Sequence, residues 1–150
     1  MKYRRLDLSE LEKFRQEFIS LLVVNGIEAA DWIAIKENEP VRASKLVEAF
    51  SDAMFDSVFS KTNYLQFTTT NEIFSFHFME SLAELFHIKS QNPNHNFLDD
   101  IPAHMIWTDL EIKSTQKTFR KSRELEIFGL MESGAVPTDG SFHNKIKSVM

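Results

Sequence analysis

The stretch FSFHFMESLAELFHI, Phe74 to Ile88, carries large apolar residues at a period of two, and this spacing constrains the fold more than any other feature of the chain. Side chains on a strand point alternately to opposite faces. Phe74, Phe76 and Phe78 therefore share one face, while Ile73, Ser75, His77 and Met79 share the other. Burying one phenylalanine side chain contributes about 1.5–3 kcal/mol. Three in a row left bare would form a sticky patch, so the strand asks for a covering layer. Sheet aromatics can instead stack nucleic-acid bases. Here Glu72 and Glu80 flank the strand, and carboxylates repel a phosphate chain, so a core role is expected.

The same spacing sets a register. Strands are expected at Tyr64 to Thr68, Glu72 to Glu80 and Leu82 to Lys89, joined by Thr69-Thr70-Asn71 and by a turn at Glu80-Ser81. A two-residue turn pairs Met79 with Leu82, faces His77 with Glu84, and puts His77 and His87 on opposite faces. A three-residue turn would bring both histidines to one face, where they could share a metal; one residue of slip decides between the two. The two-residue turn is the favoured reading.

Helices are expected on either side of this meander. Ser9 and Glu12 have the spacing of a capping box, and Leu8, Leu11, Phe14, Phe18, Leu21 and Leu22 recur at helical intervals up to Asn25-Gly26. A second helix is expected from Ala29 to Asn38, with Glu28 or Asp31 at its start. A third should follow Pro40, from about Val41 to Ser60, with Leu46, Val47, Phe50, Met54 and Val58 as its stripe. Beyond a turn-rich loop from Ser90 to Pro102, a long helix is expected from about Thr108 to Ser133, ending at Gly134, and a short last helix from Ser141. Together these give one α+β domain over 1–150: a three-helix segment, a three-stranded antiparallel meander, and a long C-terminal helix packed on the sheet.

Composition narrows the functional classes. The 150 residues hold no cysteine, which removes disulfides, thiolate nucleophiles and thiolate zinc sites. The formal charge of −5 argues against indiscriminate binding to nucleic acid or anionic membranes. The opening MKYRRLDLSELEKF lacks the apolar run of a signal peptide, and Ile19 to Val24 is too short to cross a bilayer. A cytoplasmic location is the expectation. Four glycines, Gly26, Gly129, Gly134 and Gly140, form no phosphate-cradling loop. Neither a G-x-S-x-G elbow nor an H-E-x-x-H pair is present, and no cofactor or small-molecule substrate is indicated.

Two constellations stand as candidate sites. The loop HNFLDDIPAH holds His95, Asp99, Asp100 and His104, an imidazole and carboxylate set suited to zinc, iron or manganese. Lys113, Lys117, Arg120 and Lys121 fall on one side of the expected long helix, with Arg123 nearby. With Lys2, Arg4 and Arg5 they could grip phosphates. A solvated face is the plainer reading of that stripe.

Several blocks resemble an uncharacterised Bacteroidetes family, catalogued as a domain of unknown function: MKYRRL at the start, Asp31-Trp32, KENEP before the third helix, Phe50-Ser51-Asp52, YLQF from Tyr64 to Phe67, and RELEIFGLMESGA further on. The resemblance implies a compact bacterial cytoplasmic protein and supplies no site residues. With no catalytic motif and 14 phenylalanines, more than one small core absorbs, the chain reads as a non-enzymatic domain acting through a protein partner or as a homodimer. Binding of nucleic acid by the Lys113–Arg123 stripe, and a metal-dependent site at His95–His104, are the alternatives.

Overall fold

The computed structural model describes residues 1–99 and 109–150. The backbone falls into two compact units, Met1–Val58 and Phe59–Met150. Among the described residues there are six helices and five strands, and the strands form one antiparallel sheet, an α+β protein.

The first unit is helical. Its helices are α1 (Leu8–Lys13), α2 (Arg15–Val24), α3 (Ala29–Asn38) and α4 (Pro40–Ser60), the last running across the division between the units. The first helix expected from sequence is therefore two, because the backbone leaves helical geometry at Phe14 (φ −103°, ψ 23°). Its cap also lies earlier than Ser9. Asp7 accepts from the Glu10 amide at 2.8 Å and Glu10 accepts from the Asp7 amide at 3.0 Å, closing a capping box one pair upstream. Gly26 (φ +73°) ends α2 in the left-handed conformation, with the Ile27 amide donating back to Leu22 at 2.8 Å. Helix α3 has the expected bounds, and Pro40 opens α4, where its missing N–H costs nothing. Leu22, Ile27, Ile35 and Ala43 form the buried cluster, with Phe18, Trp32 and Leu46 against it.

The second unit is a sheet between two helices. Strands β1 (Tyr64–Thr68), β2 (Glu72–Phe78) and β3 (Leu82–Ser90) form the expected meander, extended at its edges by β4 (Leu110–Thr118) and β5 (Val136–Pro137) in the order β4-β3-β2-β1-β5. The register is the one set by a two-residue turn: Met79 N–H donates to Leu82 at 2.9 Å, His77 faces Glu84 and Phe74 faces His87. Phe76 and Phe78 are buried and Phe78 stacks on Phe119, while Phe74 is half-buried, so the Phe face is core over most of its length.

The long helix from Thr108 to Ser133 does not form. Leu110–Thr118 pairs with β3, and a separate helix, α5 (Arg123–Glu132), starts at Ser122, whose hydroxyl accepts from the Leu125 amide at 3.2 Å. The physical reason lies in LEIKSTQKT: Ile112, Thr115 and Thr118 are β-branched, and the segment has no apolar stripe to hold a helix down. Helix α5 lies on the Phe face, where Leu85 borders one depression with Leu125 and Leu130. The last helix, α6 (Ser141–Val149), starts where expected and covers the other face: Ile146 joins Ile73, Phe86, Ile88 and Phe97 in a core cluster.

Candidate functional site

A polar centre sits inside the second unit, on the face covered by α6. The pairing of β2 with β3 brings His77 and Glu84 side by side, and Ser75 lies two residues back on the same face. Helix α6 adds His143 from its first turn. Gly140 makes that approach possible: it holds φ +85°, and a Cβ there would stand 2.5 Å from the Tyr64 ring. The Tyr64 ring stacks on His77 at 4.4 Å between centroids, and Phe86 stacks on His143 at the same distance.

The hydrogen bonds form a line. Ser75 Oγ is 2.8 Å from His143 Nδ1, and His143 Nε2 is 2.9 Å from Glu84 Oε1. Lys147, one turn further along α6, donates its ammonium to both Glu84 oxygens at 3.4 Å. With Glu84 ionised, Nε2–H donates to the carboxylate and Nδ1 accepts from the Ser75 hydroxyl, so both ring nitrogens of His143 are satisfied. Burial pushes the Glu84 carboxyl up, but the hydrogen bonds from His143 and Lys147 outweigh it and hold the group below its ordinary value. For His77, burial and then the neighbouring His143 lower the imidazole below its ordinary value. Ser75, His143 and Glu84 share the residue types of a hydrolase triad. Ser75 and His143 are only 2% and 1% exposed, so no acyl substrate reaches the hydroxyl.

Among the described residues, His77, Glu84 and His143 are the one group of three whose ligand atoms all lie within 4.8 Å of one another. The cross-strand half of this group was legible in the sequence; His143 was not, because it lies 59 residues from Glu84 and no local pattern links them. The metal set expected in the loop falls partly outside the described residues. His95 pairs with Ser90 Oγ at 3.2 Å and packs on Phe97, Asp99 accepts from Asn96 at 3.0 Å, and Asp100 and His104 lie outside the described residues. His87 is on the opposite face from His77, stacked on Phe74 and 3.0 Å from Glu72.

The basic stripe takes a different form from the expected helix face. Lys113 and Lys117 lie on edge strand β4, where lysine discourages edge-to-edge pairing. Lys113 pairs with Glu111 at 3.5 Å and Lys117 with Glu126 at 3.2 Å. Arg120 and Lys121 follow in the turn before α5. Arg123 is structural: its guanidinium donates to the carbonyls of Phe59, Thr62, Phe78 and Met79 and to Asn63. At the N-terminus, Lys2 pairs with Asp56 at 2.9 Å, and Arg4 clasps Glu10 with both terminal nitrogens.

The first unit presents a second feature, an apolar groove of about 600 Å³. Leu11, Phe18, Ile19, Val23, Trp32 and Ile33 line it. Arg5, Arg15, Lys36 and Glu12 also line it, an excess of positive charge. Nearby Leu8 and Val24 are 86% and 84% exposed, and Val23 and Ile33 more than half exposed.

The structure thus defines a protein of two parts, an open helical unit and a sheet unit with a closed polar centre. The chain belongs to the family of unknown function DUF6495, whose model matches residues 1–150. No curated protein and no solved structure matches it. No single described helix is long and apolar enough to cross a membrane.

Proposed function

We propose that the chain is a non-enzymatic docking module that receives an amphipathic helix of a partner protein in the groove of its helical unit, in a bacterial cytoplasm as the family resemblance implies. The observation that carries this reading is the coincidence of concavity, apolar lining and an excess of cationic side chains among that lining. Helices bind such grooves through apolar residues at i, i+3, i+4 and i+7. Arg5, Arg15 and Lys36 outnumber Glu12, which favours carboxylates flanking the partner's apolar ridge. Arg15 reaches Glu12 only at 3.8 Å, and both side chains are mostly exposed, so that pair yields readily to a better carboxylate. A flat bilayer cannot fill a concavity, and a second copy of a chain of charge −5 brings repulsion of its own. The nucleic-acid reading has less support, since Lys2, Arg4, Lys113 and Lys117 each face a carboxylate.

The test is fluorescence polarisation with two labelled helical peptides sharing one leucine ridge, one flanked by glutamates and one by lysines. The acidic peptide should bind at micromolar concentration, at least about tenfold tighter than the basic one, and Ile33→Glu should abolish binding. Failure of the acidic peptide to bind overturns the reading. So would sedimentation as a dimer that Ile33→Glu dissolves, or binding to vesicles of mixed neutral and anionic phospholipid: either assigns the groove to another occupant.

A further inference from the structure

The geometry points to a divalent transition-metal site formed by His77, Glu84 and His143. Two imidazoles and one carboxylate are a donor set for zinc and its neighbours in the first row. The three come from three separate elements, β2, β3 and α6, yet their ligand atoms converge within 4.8 Å. Tetrahedral coordination at ordinary zinc bond lengths needs them about 3.3 Å apart, a contraction that side-chain rotation supplies. His143 Nε2 and Glu84 Oε1 now share a hydrogen bond at 2.9 Å and would part slightly to take an ion between them.

Behind the ligands stands the kind of support that metal histidines use. His143 Nδ1 is held by Ser75 Oγ at 2.8 Å, and the hydroxyl can accept from Nδ1–H as readily as it donates, leaving Nε2 free to ligate. His77 also lines a shallow depression of about 560 Å³ with Ser60, Asn63, Glu80 and Arg123. A cation is already present in another form: the Lys147 ammonium sits on both Glu84 oxygens, while its side chain is 56% exposed and free to swing away. Lys147 therefore competes with the metal, and the site binds an ion when that lysine moves out.

The experiment is titration of the full, chelator-stripped chain with zinc chloride by calorimetry, and with cobalt(II) by visible absorption. One equivalent should bind, with cobalt showing tetrahedral absorption. His77→Ala, at a half-buried position that does not threaten the fold, should weaken binding at least about tenfold, and Lys147→Gln should strengthen it several-fold. His95→Ala should change nothing. Absence of binding in both wild type and Lys147→Gln overturns the inference, as does binding that survives His77→Ala or is lost in His95→Ala. None of these outcomes depends on the groove.

Discussion

In the helical unit, Leu8 and Val24 are apolar residues standing almost fully in water; in the sheet unit, Glu84 and His143 are polar residues almost fully out of it. Both are departures from ordinary burial, and they differ in what accompanies them. In the polar centre Ser75, His143 and Glu84 are hydrogen-bonded, and among the described residues no buried side-chain nitrogen or oxygen lacks a partner. Among the described residues, Leu8 and Val24 have no such covering. A satisfied interior network stabilises and orients its own elements, whereas an unsatisfied exterior surface calls for a ligand. On the proposed reading, docking belongs to the helical unit, while the polar centre holds the elements of the sheet unit together.

The comparison is most easily broken by removing the polar anchors. Arg123→Met removes a donor from four backbone carbonyls and should lower unfolding free energy by about 3 kcal/mol in urea titration. His143→Ala leaves Glu84 without its buried donor and opens a hole beside Phe86, and should cost a similar amount, about 2–4 kcal/mol. Gly140→Ala combines a left-handed backbone with a clash against Tyr64, and should cost about 2 kcal/mol, against about 1 kcal/mol for Gly26→Ala, whose new Cβ meets nothing. At the small end, Val24→Ser should stay within about 0.5 kcal/mol of wild type.

Acid sharpens the contrast between the units. The imidazole of His77 is lowered from 6.5 by burial first and then by His143, with Lys147 and Arg123 adding to this and Glu84 opposing it. Between 6.5 and its lowered value the unfolded chain binds a proton that the native chain refuses, so stability falls as pH drops through that window. In the helical unit, the hydrogen bonds from Arg4 hold Glu10 at about 2 against an ordinary 4.5. Its contribution is present above 4.5 and is lost as pH falls toward 2; after solvent screening it is worth about 1 kcal/mol. Urea midpoints measured against pH should show the first loss vanish in His77→Gln and the second in Glu10→Gln.

Much of the sheet was legible because strand period and turn length act locally. Met79 to Leu82 admits one short turn, and that turn fixes every pair from Phe78 with Ala83 to Glu72 with Lys89. Helix ends marked by Gly26 and Pro40 were legible for the same reason. The break at Phe14 was not, since the apolar spacing continues through it. Lys113 and Lys117 misled because a spacing of four places residues on one side of a helix and equally on one face of a strand; the partner strand, not the segment, decided between them. Of the polar centre, only the His77–Glu84 pair is written in neighbouring strands. His143 joins it by the docking of α6 over Tyr64, a tertiary event that no spacing announces.

The central claim is that the groove, and not the sheet, is where this protein meets its partner. Amide chemical shifts recorded during titration with the glutamate-flanked leucine peptide test it most directly. The account predicts saturable changes confined to the lining of the groove, at Phe18, Ile19, Val23, Trp32 and Ile33, with β2 and β3 undisturbed. Shifts that gather on the sheet unit, or a spectrum that does not change at all, would contradict it.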